Sequence, residues 1–326
     1  MSTHRRALIG AGLALPALAR AQGVAGEWPN RPVRLMVPFG PGGAIDTLSR
    51  FVAQRFATAT GGGSLVVENR PGAVGTVAGA AVATARPDGY TLMMADCGAN
   101  ALAGELVRGA PYDPARAFTP IIHLVNLPIV VLARRDAPFS DLSGMIAAAR
   151  ARPEAITCAH PGAGHPSHLV VELLQRQAGV RFLQVPFRSG AEVMGAIVKN
   201  EADIAAPSVS SGLPFIREGQ SKALAVAARA SVEALPETPT VAASFPGFEV
   251  SIWHGIVGPA GMPAPLTARL NEVFGRILAE PELQASLRRT QAAEIVGGAP
   301  DAFGTHIAAE IARWVPLIRE AGIRAE

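Results

Sequence analysis

A glycine-rich turn between an apolar strand and a helix most constrains how this chain can fold. Alternating apolar residues over 33–37 predict a buried strand, and apolar residues at helical spacing predict a helix over 44–58. Between them, Gly42 and Gly43 allow a sharp turn and the close approach of a ligand. Free amides at the start of a helix, with the positive end of its dipole, favour an anion such as a carboxylate or a phosphate. A simple strand-to-helix turn is the alternative.

The same order of strand, glycine loop and helix recurs further along the chain, at residues 160–168 and 188–199. Strands that alternate with helices predict parallel βαβ units and therefore an α/β fold. Two long apolar segments, 118–133 and 248–257, predict extended chain that crosses between two lobes. The last apolar stripe predicts a helix over 300–321 that packs on a lobe.

The first residues have the features of an export signal. Arg5 and Arg6 precede an apolar run over 7–19, and a small-residue cleavage pattern follows, which predicts a cleavable signal peptide over 1–21. The adjacent arginines leave the Sec and twin-arginine routes open. The chain has 29 basic and 26 acidic residues, and the signal contains three arginines and no acid. The mature protein is therefore formally neutral, which argues against nucleic acid as a partner.

Short motifs, in a fixed order along the mature chain, are similar to those of one receptor family. They are Trp28-Pro29, Arg31-Pro32-Val33-Arg34, Val37-Pro38-Phe39, Pro41-Gly42-Gly43 with Asp46, Val67-Glu68-Asn69-Arg70-Pro71-Gly72, Pro87-Asp88-Gly89-Tyr90-Thr91-Leu92, Pro111-Tyr112-Asp113-Pro114, Ser167-His168-Leu169, Leu235-Pro236, Pro239-Thr240-Val241 and Gly258-Pro259-Ala260-Gly261. Together they resemble the periplasmic substrate-binding proteins of tripartite tricarboxylate transporters, also called Bug-type receptors.

The resemblance implies a two-lobed periplasmic binding protein (Venus-flytrap) fold with two crossing hinge strands. Lobe 1 would comprise residues 27–124 and 252–326, and lobe 2 residues 125–251. A monomer in the periplasm would bind a small organic carboxylate in the interlobe cleft and pass it to the membrane subunits of the transporter. A receptor that signals to a sensor kinase is an alternative that the sequence leaves open.

The resemblance also implies which residues bind the ligand, largely through backbone amides and ordered water. They are Phe39, Gly42, Gly43, Ala44 and Asp46 in the first loop, Cys97 and Gly98 in a second, Gly162, Ala163, Gly164, His165 and Ser167 in the facing loop, Ser189 and Gly190 beside it, and Ser208. Cys97, His165 and Ser208 depart from the family pattern and are expected to select the ligand. Monocarboxylates, dicarboxylates, amino acids and aromatic acids all fit such an anchor.

Two of the candidate residues have a structural alternative. Asp46 lies in the first turn of a helix, where an acid interacts favourably with the dipole whatever its function. If Asp46 faces the cleft, it is expected to hold a water or a loop amide rather than the ligand carboxylate, because two anions repel. Trp253 either lines the cleft or packs inside the hinge, and packing is the expected role.

The sequence gives little support for a catalytic site, a metal site or a disulfide. No Gly-x-Ser-x-Gly motif occurs, and Ser167 and His168 are neighbours on a helix that do not face one another. We therefore expect neither an enzyme, such as an exported hydrolase, nor a cofactor. His160, His165 and His168 are close in sequence, but their proline-containing loop does not have the spacing of a zinc site. A disulfide between Cys97 and Cys158 would join the lobes and oppose opening, which argues against it.

Overall fold

The computed structural model describes residues 28–325, so the predicted signal over 1–21 lies outside the described residues. The strands in the described part are β1 (Val33–Val37), β2 (Leu65–Asn69), β3 (Thr91–Ala95), β4 (Phe118–Pro128), β5 (Val130–Arg134), β6 (Thr157–His160), β7 (Leu183–Pro186), β8 (Ile204–Ala205), β9 (Ser221–Val226), β10 (Ser251–Pro259) and β11 (Glu294–Gly297). The α-helices there are α1 (Ala44–Thr60), α2 (Thr76–Ala83), α3 (Ala103–Leu106), α4 (Leu142–Ala151), α5 (Pro166–Ala178), α6 (Gly190–Val198), α7 (Val209–Arg217), α8 (Ala264–Leu278), α9 (Pro281–Gln291) and α10 (Pro300–Ala321).

The strands form two mixed sheets. The first sheet has the order β11-β4-β10-β3-β1-β2, and the second has the order β7-β6-β8-β5-β9. In the first, β1 is parallel to β2 and β3, whereas β10 is antiparallel to β3 and β4. In the second, β6 is parallel to β7 and β8. We name the first sheet with α1–α3 and α8–α10 the first unit, and the second sheet with α4–α7 the second unit. This two-unit arrangement confirms the predicted α/β fold.

The chain crosses between the sheets twice. β4 ends at Pro128 in the first sheet, β5 begins at Val130 in the second, and Ile129 between them forms a bridge with Ser208. On the return path, the Val250 amide donates to a carbonyl of the second unit at 3.0 Å, just before β10 begins. These are the two crossing strands of the predicted fold. The assignment of residues 125–251 to a separately moving lobe stays a prediction.

Buried apolar side chains hold the two units together. Leu35, Phe56 and Phe274 belong to a core between the first sheet and the helices α1 and α8. A second core is continuous from Trp253 and Phe303 in the first unit to residues of β5 and α5 in the second. The units therefore share a buried core in which residues of β10 and α10 take part.

Two boundaries differ from the sequence prediction for local reasons. α5 begins at Pro166 rather than at residue 168, because proline is favourable in the first turn of a helix and His165 caps it. β10 begins at Ser251 rather than at residue 248, because the Phe248 amide is engaged in a turn with the Phe245 carbonyl at 3.0 Å. Among residues 28–325, none of the helices combines the length and the apolar character required to cross a bilayer.

Candidate ligand-binding site

The predicted site residues lie after the carboxyl ends of parallel strands. Ligands of open α/β sheets bind outside this edge, where loops and the starts of helices meet. Phe39, Gly42, Gly43, Ala44 and Asp46 follow β1; Cys97 and Gly98 follow β3; Gly162, Ala163, Gly164, His165 and Ser167 follow β6; Ser189 and Gly190 follow β7; and Ser208 follows β8. The loop after β6 reaches the first unit, since a Cβ on Gly164 would lie 2.4 Å from Cδ1 of Leu106 in α3.

Asp46 organises the loop between β1 and α1. The residue is 2% exposed, and its carboxylate accepts hydrogen bonds from the Gly42 amide, Arg50 Nε and Asn69 Nδ2, each at 2.9 Å. Asn69 Nδ2 also donates to the Phe39 carbonyl at 3.0 Å. Burial acts to raise the pKa of Asp46, but these hydrogen bonds and the Arg50 charge outweigh it and lower the pKa. Both carboxylate oxygens are therefore engaged within the loop.

The start of α1 has no side-chain cap. Gly43 is the N-cap residue in an extended conformation, and none of the described side chains accepts a capping hydrogen bond from the amides of the first turn. Gly42 has a φ of +92°, which favours glycine, and the space beside both glycines is open. The first amides of a helix have no acceptor within the helix and lie at the positive end of its dipole. The amides of Gly43, Ala44 and Ile45 are therefore suited to an anion.

The helices that begin at the loops of the second unit are capped by side chains. The caps are His165 Nδ1, which accepts from Ser167 N at 3.1 Å, Ser189 Oγ, which accepts from Glu192 N at 3.2 Å, and Ser208 Oγ, which accepts from Ser211 N at 3.3 Å. The Ser208 hydroxyl also donates to the Ser211 hydroxyl at 2.8 Å. Side-chain caps satisfy amides that would otherwise lack a partner, so these helix starts are less available to an anion than that of α1.

The histidines around the start of α5 are packed against one another and against the loop. The rings of His160 and His168 stack with their centroids 4.2 Å apart, and His168 Nδ1 accepts from the Gly164 amide at 3.2 Å. Burial, together with the neighbouring histidines, lowers the pKa of His160 and of His165 to about 4. Because His165 Nδ1 accepts a hydrogen bond, its proton is assigned to Nε2. His165 therefore offers a neutral donor rather than a cation.

The loop after β3 is bound tightly to its surroundings. Cys97 is 3% exposed, and its sulfur lies 3.7 Å from a carboxylate oxygen of Glu310 in α10. Burial, followed by the Glu310 charge, raises the pKa of the Cys97 thiol well above its usual value. The Gly98 amide donates to Asp96 at 3.2 Å, and a Cβ on Gly98 would lie 2.7 Å from Val74. The Cys97 thiol is thus engaged with α10, and Gly98 permits close packing.

Glu310 also holds the strand that returns to the first sheet. Trp253 in β10 is completely buried, and its indole N–H donates to Glu310 Oε2 at 3.0 Å. The indole N–H of Trp314 donates to the same oxygen at 3.0 Å. Of the two roles considered for Trp253, the structure shows packing within the fold.

The cysteines are separate, and no metal cluster is present in the described part of the chain. Cys97 and Cys158 are both free and buried. Burial raises the pKa of the Cys158 thiol well above its usual value. Among residues 28–325, no three histidine, cysteine or acidic side chains are grouped to hold a metal ion.

Comparison with known families identifies the kind of protein. Residues 48–323 match the model of the tripartite tricarboxylate transporter family receptor. The chain belongs to this family. The receptor is 32% identical over 324 residues to a UPF0065 protein from the tcbD-tcbE intergenic region of Pseudomonas sp. (strain P51), covering 99% of the receptor and 96% of that protein. It is 29% identical to BugT of Bordetella pertussis, covering 99% and 98% of the two chains. The resemblance stated from the motifs is confirmed.

Solved structures show the same fold. The receptor is 32% identical to Rpa4515 of R. palustris, determined with adipate, with a TM-score of 0.80 over 91% of the receptor and 99% of that chain. It is 32% identical to MatC of Rhodopseudomonas palustris, which has bound malate, with a TM-score of 0.77 over 89% and 100% of the chains. The periplasmic binding protein BugD is 31% identical, with a TM-score of 0.78 over 91% and 100%.

Family and fold together establish the general function of the receptor. Proteins of this family are periplasmic solute-binding receptors and not enzymes. This confirms the predictions that the chain is a solute receptor and that it is not an enzyme. The assignment of individual residues to the ligand site stays a prediction.

Two buried polar residues near the site were missed by the sequence interpretation. Gln291, at the end of α9, donates from Nε2 to the Ala44 carbonyl at 3.1 Å. His254 follows Trp253 in β10, is 4% exposed, and has no partner for Nδ1 among the described residues. Burial lowers the pKa of His254 to about 4. No motif marks Gln291, because its contact with Ala44 joins distant parts of the chain.

A separate cavity of about 1210 Å³ lies between α7 and the loop after β9 in the second unit and α9 in the first unit. Its lining includes Leu213 and Arg217 from α7 and Arg288 and Thr290 from α9. None of the predicted ligand-binding residues is part of this lining. The cavity is therefore distinct from the candidate site.

Proposed function

We propose that the receptor, exported by the signal over 1–21, acts as a monomer that binds a small organic carboxylate between its two units. It then passes the ligand to the membrane subunits of a tripartite tricarboxylate transporter. The residues named from the sequence after β1, β3, β6, β7 and β8 form the proposed contacts, except Asp46, which holds the first loop in place.

The uncapped start of α1 carries this proposal. None of the described side chains caps its amides and the space beside Gly42 and Gly43 is open, whereas His165, Ser189 and Ser208 cap the helices of the second unit. Arg50, a cation in α1 beside this loop, is paired with Asp46 at 2.9 Å. A carboxylate at α1 would thus be held by amides and the helix dipole, an arrangement that favours anions without a cationic side chain.

The ligands of similar receptors support a carboxylate. The structure of Rpa4515 was determined with adipate, and that of MatC has bound malate. Both molecules are dicarboxylates, which is consistent with an anion site at α1. The chain crossings at 128–130 and 249–251 would serve as the hinge, and the ligand would shift an equilibrium between open and closed forms.

A thermal-shift screen with matched ligands tests the proposal. Each carboxylate in a library is compared with its own neutral amide, which has similar shape and no charge. At about 100 times its dissociation constant, a bound carboxylate should raise the melting temperature by roughly 5 °C. The amides should produce little shift, because a neutral carbonyl gains less from the helix dipole. Amides that stabilise as well as their acids would contradict the carboxylate anchor.

Delivery to a transporter is tested separately with the best ligand from that screen. Membrane vesicles containing the cognate transporter subunits should accumulate labelled ligand only when the purified receptor is added. Accumulation at the same rate without the receptor would contradict a role in uptake.

A further inference from the structure

We propose that the cavity between α7 and α9 is the surface on which a membrane subunit of the transporter docks, through acidic side chains of that subunit. The inference rests on the proposed function and names the part of the receptor that the transporter recognises. It depends on the position of the cavity across the two units, and on three arginines in its lining that have no acidic partner among the described residues.

Opposite walls of the cavity belong to different units. α7 and the loop after β9 supply Arg217 and Ser231 from the second unit, and α9 supplies Arg288 from the first. Pro128 and Ser251, beside the two chain crossings, also line the cavity. A rotation of one unit relative to the other would therefore change the distance between the walls, so the shape of the cavity depends on whether the receptor is open or closed.

The size and the lining of the cavity suit a polypeptide better than a small molecule. Its volume of about 1210 Å³ exceeds the range of about 300–1,000 Å³ that is typical of small-molecule sites, and such sites are mostly apolar. This lining instead combines charged side chains with small ones such as Ala230 and Ser231, which leave room for a chain segment. Arginine is enriched in protein–protein interfaces. A segment of another protein is therefore the occupant that fits.

The acidic residues of the lining leave the three arginines unneutralised. Glu249 pairs with Arg229, and Glu294 accepts a hydrogen bond from an asparagine of β4 at 3.2 Å. The remaining acids, Glu218 and Glu233, form no ion pair with any described residue. The unpaired groups are thus three arginines and two acids, an excess of positive charge that favours an acidic partner.

The three arginines are available to such a partner. Arg217 and Arg289 form no ion pair or side-chain hydrogen bond with any described residue, and Arg288 has one long contact, 3.4 Å from Gln284 Oε1. All three residues are exposed. A guanidinium group binds a carboxylate with two parallel hydrogen bonds. Because both walls carry such arginines, a partner that contacts both would distinguish the closed receptor from the open one.

Neutralising each wall separately tests the docking site. Arg217→Gln changes the wall of the second unit, and Arg288→Gln/Arg289→Gln changes that of the first. At limiting receptor concentration, each variant should lower receptor-dependent uptake into the membrane vesicles at least about tenfold, because charge-assisted contacts with the membrane subunit are lost. Calorimetry should give an affinity for the carboxylate within about twofold of the natural value, since the cavity is distinct from the candidate ligand site.

Arg135→Gln/Arg152→Gln is the matched control for the double variant. It removes the same charge from two exposed arginines that lie outside the cavity. This variant should support uptake at the natural rate. It separates a local docking contact from a general effect of net charge.

Cross-linking locates the partner directly. Ser231→Cys and Thr290→Cys place a thiol on each wall, and the natural cysteines are both buried, so the introduced thiol takes a benzophenone maleimide label. On illumination, each labelled receptor should cross-link to a membrane subunit, and more strongly with the carboxylate present. Arg152→Cys, labelled in the same way, should not cross-link.

The outcomes separate the two proposals. Uptake at the natural rate by either arginine variant, or no cross-link from either wall, would overturn docking across the two units and leave the proposed function intact. Failure of the natural receptor to support uptake would instead overturn its proposed role in delivery.

Discussion

At the scale of single residues, Asp46 shows how an acid can support an anion site without contacting the anion. Its carboxylate accepts from the Gly42 amide and from Asn69, and it pairs with Arg50. These contacts hold the loop whose next amides are proposed to bind the ligand. The negative charge of Asp46 is balanced by Arg50, which limits its repulsion of a bound carboxylate.

Asp46→Asn is expected to weaken ligand binding and to lower the free energy of unfolding by about 1–3 kcal/mol at pH 7, because it removes buried charge-assisted hydrogen bonds. The pKa of Asp46 is lowered in the folded protein, so its contribution is complete above the unfolded pKa of about 4 and is lost as the pH falls through the folded pKa. The difference in the free energy of unfolding between the variant and the natural protein should therefore become smaller at acidic pH. Urea denaturation at pH 7 and pH 3.5 measures it.

Asp113→Asn is the control for that substitution, since Asp113 is exposed and its ion pair with Arg116 is long, at 3.8 Å. It should change neither stability nor affinity appreciably. If Asp46→Asn behaves like Asp113→Asn in both measurements, Asp46 has neither a structural nor a ligand-related role.

The sequence could place Asp46 in the first turn of a helix, but it could not decide what the carboxylate contacts. That decision depends on Asn69, which reaches the loop from the end of β2. The sequence did not indicate that His165 caps α5 through Nδ1, and the predicted contact of His165 with the ligand stays a prediction. Gln291 was missed because its contact with Ala44 spans most of the chain.

At the scale of elements, local signals predicted the strands and helices well. α10 spans Pro300–Ala321, as predicted, because proline is favourable at its start, Gly322 follows its end, and an apolar stripe lies between them. The function of α10 could not be predicted in the same way. Glu310 in this helix joins Trp253, Trp314 and Cys97, and no local pattern indicates those partners.

β4 carries a histidine that should make stability depend on pH. His123 is 5% exposed, its ring lies 4.5 Å from that of His306, and burial lowers its pKa to about 4. Between that value and an unfolded pKa of about 6.5, the unfolded chain binds a proton that the folded chain does not. Stability is therefore lost as the pH falls from 6.5 towards 4. His123→Phe should reduce the loss between pH 7 and pH 5 by about 1–2 kcal/mol, measured by urea denaturation.

Phe303→Leu is a suitable comparison, because the Phe303 ring lies 5.2 Å from that of His123 and does not titrate. This variant should lose stability to the same extent at both pH values. If His123→Phe loses as much stability between pH 7 and pH 5 as the natural protein does, His123 is protonated in the folded protein as readily as in the unfolded chain.

At the scale of the whole molecule, the two units are connected by a shared buried core and by the two chain crossings, and the loops of the candidate site lie at the strand ends. The core that includes residues of β10 and α10 is continuous between them, and the two chain crossings connect the sheets. The starts of α1, α5, α6 and α7 lie at loops after the strand ends, where a ligand would contribute the contacts that differ between open and closed forms. The chain without its predicted signal over 1–21 is formally neutral, which leaves recognition to these local groups.

The central claim is that backbone amides at the start of α1 bind the ligand carboxylate, and Ala44→Pro tests it most directly. Gly43 before it is extended, as the residue before a proline requires, and proline is tolerated at the first helical position. The substitution thus removes one amide proton and leaves the helix intact. Ala264→Pro makes the same change at the first residue of α8, where Ala264 is exposed.

Isothermal titration calorimetry with the tightest carboxylate from the screen provides the measurement. Ala44→Pro should weaken binding at least about tenfold, since hydrogen bonds to charged groups contribute about 1.5–3 kcal/mol, while the melting temperature without ligand stays within about 2 °C. Ala264→Pro should bind as the natural receptor does. Full affinity in Ala44→Pro would contradict the claim that the start of α1 holds the carboxylate.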